Sequence, residues 1–200
     1  MAGWRQRLHS LDGDAVAERK VLPDREITGV VTLLPRVFEN ELVEIVPADR
    51  SYVATEMTSF LLFWLSRLRC PVLNRPTPTC LSGPYWRREK WVHIAAQAGI
   101  PVEPVRRRAT APGCTTQEEG IAPAGATAIV IGERVFGECA PALHLQALSL
   151  ARLAGVDFLS VQFSGPERGA HFAGANAFPD LSDDKVTDAV LEYLRGGLTR

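Results

Sequence analysis

Residues 109–125, ATAPGCTTQEEGIAPAG, put three glycines and two prolines into seventeen positions with no apolar periodicity. Neither a helix nor a strand survives that density of breakers. Whatever this chain folds into must therefore be assembled from the residues on either side of the stretch. It is expected as a linker or exposed loop between a domain over 27–108 and a segment over 126–200, with 1–26 as an N-terminal arm. A chain of 200 residues suits one domain or two small ones and buries a core without disulfide or metal staples.

Ahead of the breakers, two kinds of pattern alternate. ITGVVTLL (27–34) is rich in β-branched residues and reads as a buried strand; ELVEIVP (41–47) alternates and reads as a second, short one. Met57, Phe60, Leu61, Trp64, Leu65 and Leu68 recur at helical spacing and predict a helix over about 54–68. PVLN (71–74) is a short strand, and Trp91, Ile94, Ala95 and Ala98 mark another helix, stopped by Gly99 and Pro101. PVEPVRRR (101–108) is extended. This alternation implies a small parallel α/β sheet. The weakly patterned, charged 1–26 suggests a short helix or a loose arm.

Behind the breakers the pattern changes to hairpins and helices, an α+β arrangement. ATAIVIGERVFGE folds about a Gly132–Glu133 turn, and a helix over about 142–154 has Pro141 at its start and Gly155 past its end. DFLSVQFSG (157–165) and GAHFAGAN (169–176) pair as a hairpin. Ser182, Asp183 and Asp184 cap a last helix that carries Val186, Ala189, Val190, Tyr193 and Leu194 on one face.

Charge narrows the function. Twenty-two basic against 23 acidic residues give a formal charge of −1, which implies neither a nucleic-acid nor a membrane partner. The apolar run FLLFWL (60–65) is too short to span a bilayer. The four cysteines include no C-x-x-C pair, and the N-terminus has no signal-peptide core, so reduced thiols in a cytoplasmic protein are expected.

Several residues are candidates for binding, each with a plainer alternative. Asn74 and Arg75 follow a presumed parallel strand, where ligands of open α/β sheets gather; otherwise they are a turn residue and a surface charge. Lys90 belongs to a basic–aromatic group, Tyr85–Trp91, suited to an anion at a helix N-terminus; otherwise these are core aromatics beside solvated charges. Asn176 and Asp180 close a strand as ligand contacts, or as a turn leading into the Ser182 cap. Arg106–Arg108 blunts a strand edge or docks an acidic partner. His93, His144 and His171 have no second ligand at i+3 or i+4 and carry no metal expectation. Cys139 and His144 lack a third group that would make a nucleophile.

Taken in order, these pieces resemble the ATP-grasp superfamily. NRPTPTCLSGPYWRREKWVHIAAQAGIPVEP (74–104) is similar to the end of its small N-terminal α/β domain, where a strand ending in Asn-x-Pro leads to a Lys-containing helix. Residues 126–138, with IGERVFGE, resemble its next hairpin, and 147–181 its closing helix–strand–strand segment. The RimK-like and peptide-maturase branches are nearest, and the resemblance covers 27–108 and 126–195. It implies a small parallel-sheet pre-ATP-grasp-like domain followed by a reduced α+β ATP-grasp-like segment.

Two departures bear on function. The family's long nucleotide-binding half would stand where only 109–125 stands here. Its Mg²⁺ lies between carboxylates and an Asn; by position those carboxylates are Gln162 and Gly174 in this chain, leaving Asn176. Hard cations want charged oxygen ligands, and each close charge pair lost is worth several kcal/mol at intermediate dielectric. The resemblance thus implies a truncated, degenerate member with no catalytic residue, no metal and no cofactor. Its ligand contacts would be among Asn74, Arg75, Lys90, Asn176 and Asp180. It would act by binding a protein, peptide or metabolite, by self-association, or beside a full-length ATP-grasp enzyme. The alternatives are a partner-completed ATP-dependent carboxylate–amine ligase subunit, and chemistry repurposed around Asn74, Arg75, Asn176 and Asp180.

Overall fold

In a computed structural model the described residues are 3–6, 13–17, 20–103, 125–178 and 180–196. The chain forms two compact units, 1–84 with 187–200, and 85–186. The division falls at Pro84, whereas the expected boundaries at 108 and 125 border or enter 104–124, outside the described residues.

The first unit opens with an antiparallel meander of β1 (Gly3–Gln6), β2 (Gly13–Ala17) and β3 (Lys20–Pro23). This corrects the expectation of a short helix within 1–26; residues 1–2, 7–12 and 18–19 lie outside the described residues. Strands of four or five residues are shorter than the window in which periodicity stands out from composition. Next comes a two-stranded parallel sheet, in which β4 (Val30–Val31) pairs with β5 (Val72–Leu73), Val30 opposite Val72 and Val31 opposite Leu73. The crossover between them carries α1 (Arg50–Arg67).

Here too the sequence overstated its strands. Only two residues of 27–34 pair, both half-buried, and Leu33 and Leu34 are exposed. ELVEIVP is not a strand: it runs between two short 3-10 turns, Glu39–Glu41 and Pro47–Asp49. Alternation favours a strand only where a neighbour takes up its backbone groups. Arg50 takes up two of them instead, donating from Nε to the Ile45 carbonyl (2.9 Å) and from Nη2 to that of Val43 (3.2 Å). The apolar stripe of α1 does what its spacing predicts. Trp64 and Leu65, with Leu68 just beyond, pack with Cys70, Val72 and Leu81, and the Trp64 indole N–H donates to Asp24 Oδ1 at 2.9 Å.

The second unit is a four-stranded antiparallel sheet in the order β7-β6-β8-β9: Arg134–Phe136, Ala126–Ile131, Phe158–Phe163 and Phe172–Asn176. Both expected hairpins are present. Two helices, α2 (Arg88–Gln97) and α3 (Pro141–Ala154), join one face to make the core. Leu143, Ala147 and Leu150 of α3 meet Val130, Leu159, Val161 and Phe163 of the sheet, and Trp91, Ile94 and Ala95 of α2 complete the cluster. Fully burying each of the larger side chains contributes about 1.5–3 kcal/mol. α3 stops where Gly155 adopts φ +66° and Val156 N–H donates to the Ala151 carbonyl at 3.0 Å, a left-handed C-terminal turn that glycine enters without Cβ strain.

Val102 bridges in parallel to Phe172, so the start of PVEPVRRR is extended as expected; Arg106–Arg108 lie outside the described residues. The last helix, α4 (Asp184–Gly196), begins in this unit and belongs to the first from Thr187 onward. Of its expected face, Val186, Ala189 and Val190 are buried and Tyr193 and Leu194 half-buried.

Candidate functional site

The pleat of β8 and β9 decides which side chains stand together. Ser160 is opposite Asn176 and Gln162 opposite Gly174. Alternation turns Leu159 and Val161 to the core and puts these four on the other face of the sheet. Across β6, Thr127 pairs with Gln162 and Ile129 with Ser160, extending that face. The two positions at which the resemblance would set metal-binding carboxylates are thus direct cross-strand neighbours, occupied by an amide and a hydrogen. A Cβ on Gly174 would lie 3.0 Å from Gln162 Oε1, so the glutamine amide occupies the space beside the glycine.

Asn176 ends β9, and its side chain closes the next turn. Oδ1 accepts from the Phe178 amide and Nδ2 donates to the Phe178 carbonyl, both at 3.0 Å. Asp180 repeats the device, accepting from the Ser182 amide at 2.9 Å and the Ser182 hydroxyl at 2.8 Å. The hydroxyl first, then the amide, hold the Asp180 carboxyl below the usual aspartate range. Asp183 then caps α4 through the Lys185 amide at 2.8 Å. Consecutive Asx turns therefore carry the chain from strand to helix. Pro179 lies outside the described residues.

Lys90 shares this unit. Its ammonium lies 5.5 Å from the centroid of the Trp86 ring, and Trp86 packs at 4.8 Å against the buried Trp91. The basic–aromatic group thus divides: Trp91 is core, Trp86 is half-buried, and Arg87, Arg88 and Lys90 are exposed. Among the described residues no three His, Cys, Asp or Glu converge as a metal-holding group. Burial pushes the Cys139 thiol up, away from the thiolate a nucleophile requires.

Asn74 and Arg75 belong to the first unit. Asn74 is 3 % exposed, and its Nδ2 donates to the Ser82 carbonyl at 3.4 Å. Gly83 beside it has φ +98°, and a Cβ there would come 2.8 Å from Asn74 Cβ, so only glycine permits this approach. Ser82, fully buried, donates from Oγ to the Leu34 carbonyl at 3.1 Å. The amide of Asn74 therefore ties the end of β5 to the Thr77–Gly83 turn. Arg75 is exposed, and its positive field acts on Cys70. Burial, the larger effect, pushes that thiol up, and the guanidinium partly opposes it.

Sequence reading missed a cleft of about 680 Å³ in the first unit, between the Arg36–Asn40 segment, α1 and the Pro78–Thr79 turn. Its helical wall carries Ser51, Thr55 and Ser59 at i, i+4 and i+8. That hydroxyl row was legible beside the apolar stripe.

No protein-family model matches the chain, and no curated protein matches it in sequence. Its structure does match solved ones. Macrocyclase MdnC of Microcystis aeruginosa MRC, solved bound with precursor peptide MdnA, aligns with a TM-score of 0.70 at 11% identity over 96% of this chain and 86% of that one. Macrocyclase MdnB from the same organism gives 0.63 at 12% identity over 98% and 84%. A Chryseobacterium gregarium RiPP-associated ATP-grasp ligase, solved with ADP and a leader and core peptide, gives 0.65 at 12% identity over 96% and 84%. The mixed α/β architecture described above, with one parallel strand pair and a meander in its first unit and an antiparallel sheet in its second, is shared with these solved structures, among them an ATP-grasp ligase.

Proposed function

We propose that this chain is a binding protein built on a truncated, degenerate ATP-grasp fold, with a polypeptide as its partner and no ligase activity of its own. The observation that carries the reading is the register of Gln162 against Gly174, which leaves an uncharged pair where two carboxylates would grip a metal–nucleotide complex. A triphosphate with its cation concentrates charge, and an amide coordinates without neutralising any of it. The side chain of Asn176, the one family ligand retained, is engaged in its own turn.

Two of the structural neighbours were solved with peptides, which favours a peptide or protein over a metabolite as the ligand. The partner includes a full-length ATP-grasp enzyme or a second copy of this chain. No helix among the described residues is long and apolar enough to cross a membrane. The free thiols of Cys70, Cys80 and Cys139 suit a reducing, cytoplasmic setting. Of the residues expected as ligand contacts, the exposed Arg75 in the first unit and Lys90, Asn176 and Asp180 in the second are each proposed as a contact within its own unit, and the buried Asn74 as a support of the turn beside Arg75.

One neighbour was solved with ADP, and this favours a second reading: a ligase subunit whose lysines and carboxylates come from a partner. Isothermal calorimetry with Mg·ATP separates the two. The binding-protein reading expects no saturable heat from the chain alone and, with a co-purified ATP-grasp partner, no sites beyond those the partner shows by itself. Additional sites that appear only when chain and partner are mixed support the second reading, and saturable binding to the chain alone overturns the first.

A further inference from the structure

α1 is apolar on more sides than the core takes up. Ala54, Trp64 and Leu65 are buried, Phe60, Leu61 and Leu62 are half-buried, and Phe63 is 51% exposed. A helix that is apolar nearly all round ordinarily has neighbours all round. Away from the buried side, α1 carries Glu56, Phe60, Phe63 and Arg67 at i, i+4, i+7 and i+11, the spacing of one stripe along a helix.

The two charges of the stripe have nothing to pair with on their own helix. Three and four positions from Glu56 stand Tyr52, Val53, Ser59 and Phe60, and the α1 residues so placed from Arg67 are Phe63 and Trp64. None carries the opposite charge. Glu56 and Arg67 themselves are eleven residues, roughly 16 Å, apart along the axis, and neither has an ion partner among the described residues. The Arg67 guanidinium lies 5.0 Å from the centroid of the Phe63 ring, and a guanidinium over a ring keeps its in-plane N–H donors for a carboxylate.

The order acid, aromatic, aromatic, base, spaced four, three and four, is its own complement when reversed. Glu56 with Arg67, and Phe60 with Phe63, share one midpoint between Leu61 and Leu62. Two α1 helices laid antiparallel about that midpoint therefore set Glu56 against the partner's Arg67 and Phe60 against the partner's Phe63, and two-fold symmetry repeats both contacts. A parallel pair would oppose like charges, and a partner of uniform charge would satisfy only one end of the stripe.

We propose that α1 docks antiparallel against α1 of a second copy of this chain through Glu56, Phe60, Phe63 and Arg67. The inference rests on the reading above, in which the partner is a polypeptide, and selects a second copy. One helical stripe on each copy is smaller than the about 800 Å² per side of a standard interface, so the dimer is expected to dissociate in the micromolar range.

Sedimentation velocity of the full chain, from low micromolar to near-millimolar concentration, reads the association. The parent is expected to pass from monomer to dimer, and to need more protein to do so as salt rises. Phe63→Ser, at an exposed position, should weaken association at least tenfold with the circular dichroism spectrum unchanged. Glu56→Arg and Arg67→Glu each set like charges together twice and should each weaken it at least fivefold. Mixed with one another, these two variants regain both ion pairs and should associate at least as tightly as the parent. Glu138→Gln, in the other unit, should leave association unchanged. A parent that stays monomeric throughout overturns the assignment. So does a dimer indifferent to Phe63→Ser, or a mixture that associates no more tightly than either charge variant alone. If the parent is monomeric and Mg·ATP also fails to bind, the α1 assignment falls and the binding-protein reading stands. If Mg·ATP binds the lone chain, that reading falls whatever the state of association.

Discussion

Placing two acids on the sheet face is its sharpest perturbation. In Gln162→Glu with Gly174→Glu, two carboxylates replace an amide and a hydrogen at directly opposed positions. Cross-strand partners have Cβ atoms about 4.5–5.5 Å apart. Two negative charges roughly 5 Å apart repel by about 1–3 kcal/mol between a half-buried and a fully aqueous dielectric. For a chain of this length that is a fall in Tm of about 2–10 °C without divalent ions. The steric cost is small: the atom nearest a Cβ on Gly174 is Gln162 Oε1, at 3.0 Å, the free end of a flexible side chain. Millimolar Mg²⁺ should reverse the fall in the double variant and leave the parent unmoved, as read by differential scanning calorimetry with Mg²⁺ or EDTA. A double variant as stable as the parent in EDTA would show that the two positions do not face each other, and a parent stabilised by Mg²⁺ would show that acids are not what the site lacks.

The same contacts have other measurable consequences. Leu159→Ala empties a fully buried position between the sheet and α3 and should cost about 2–5 kcal/mol in urea denaturation. Gly137→Ala should be among the most damaging small changes, since φ is +131° and the new Cβ would run into the Thr127 carbonyl oxygen; a Tm within a degree or so of the parent would contradict the local geometry. Ser182→Ala removes the main cause of the lowered Asp180 pKa, so the carboxyl ¹³C titration of Asp180 should move up. Linkage sets the sign. A depressed folded-state pKa contributes stability above the unfolded value and loses it as pH falls through the folded one, so the variant should show less acid-induced loss of stability from this group.

How far the sequence could be read depended on whether an element supplies its own reason to exist. α1, α3 and α4 and both hairpins of the second unit were legible because a stripe, a Gly132 turn or a Pro141–Gly155 bracket lies within a few residues of each. ELVEIVP failed because its alternation needed a partner strand, and Arg50 provides the hydrogen bonds instead. The meander over 3–23 was invisible because its strands are so short. At the candidate site the uncharged residues Gln162 and Gly174 were plain in the sequence, but their register was not, since one residue of slip would have put them on opposite faces. The engagement of Asn74 with Ser82 was not legible either, because it joins residues eight positions apart through the turn at Gly83.

The central claim is that the face carrying Ser160, Gln162, Gly174 and Asn176 does not hold a metal–nucleotide complex in this chain alone. Side-chain amide resonances of Gln162 and Asn176, followed by ¹⁵N NMR as Mg·ATP is added to millimolar levels, report on that face directly. Both are predicted to stay where they are. Saturable shifts of either, quenched when Mn²⁺ replaces Mg²⁺, would contradict the account.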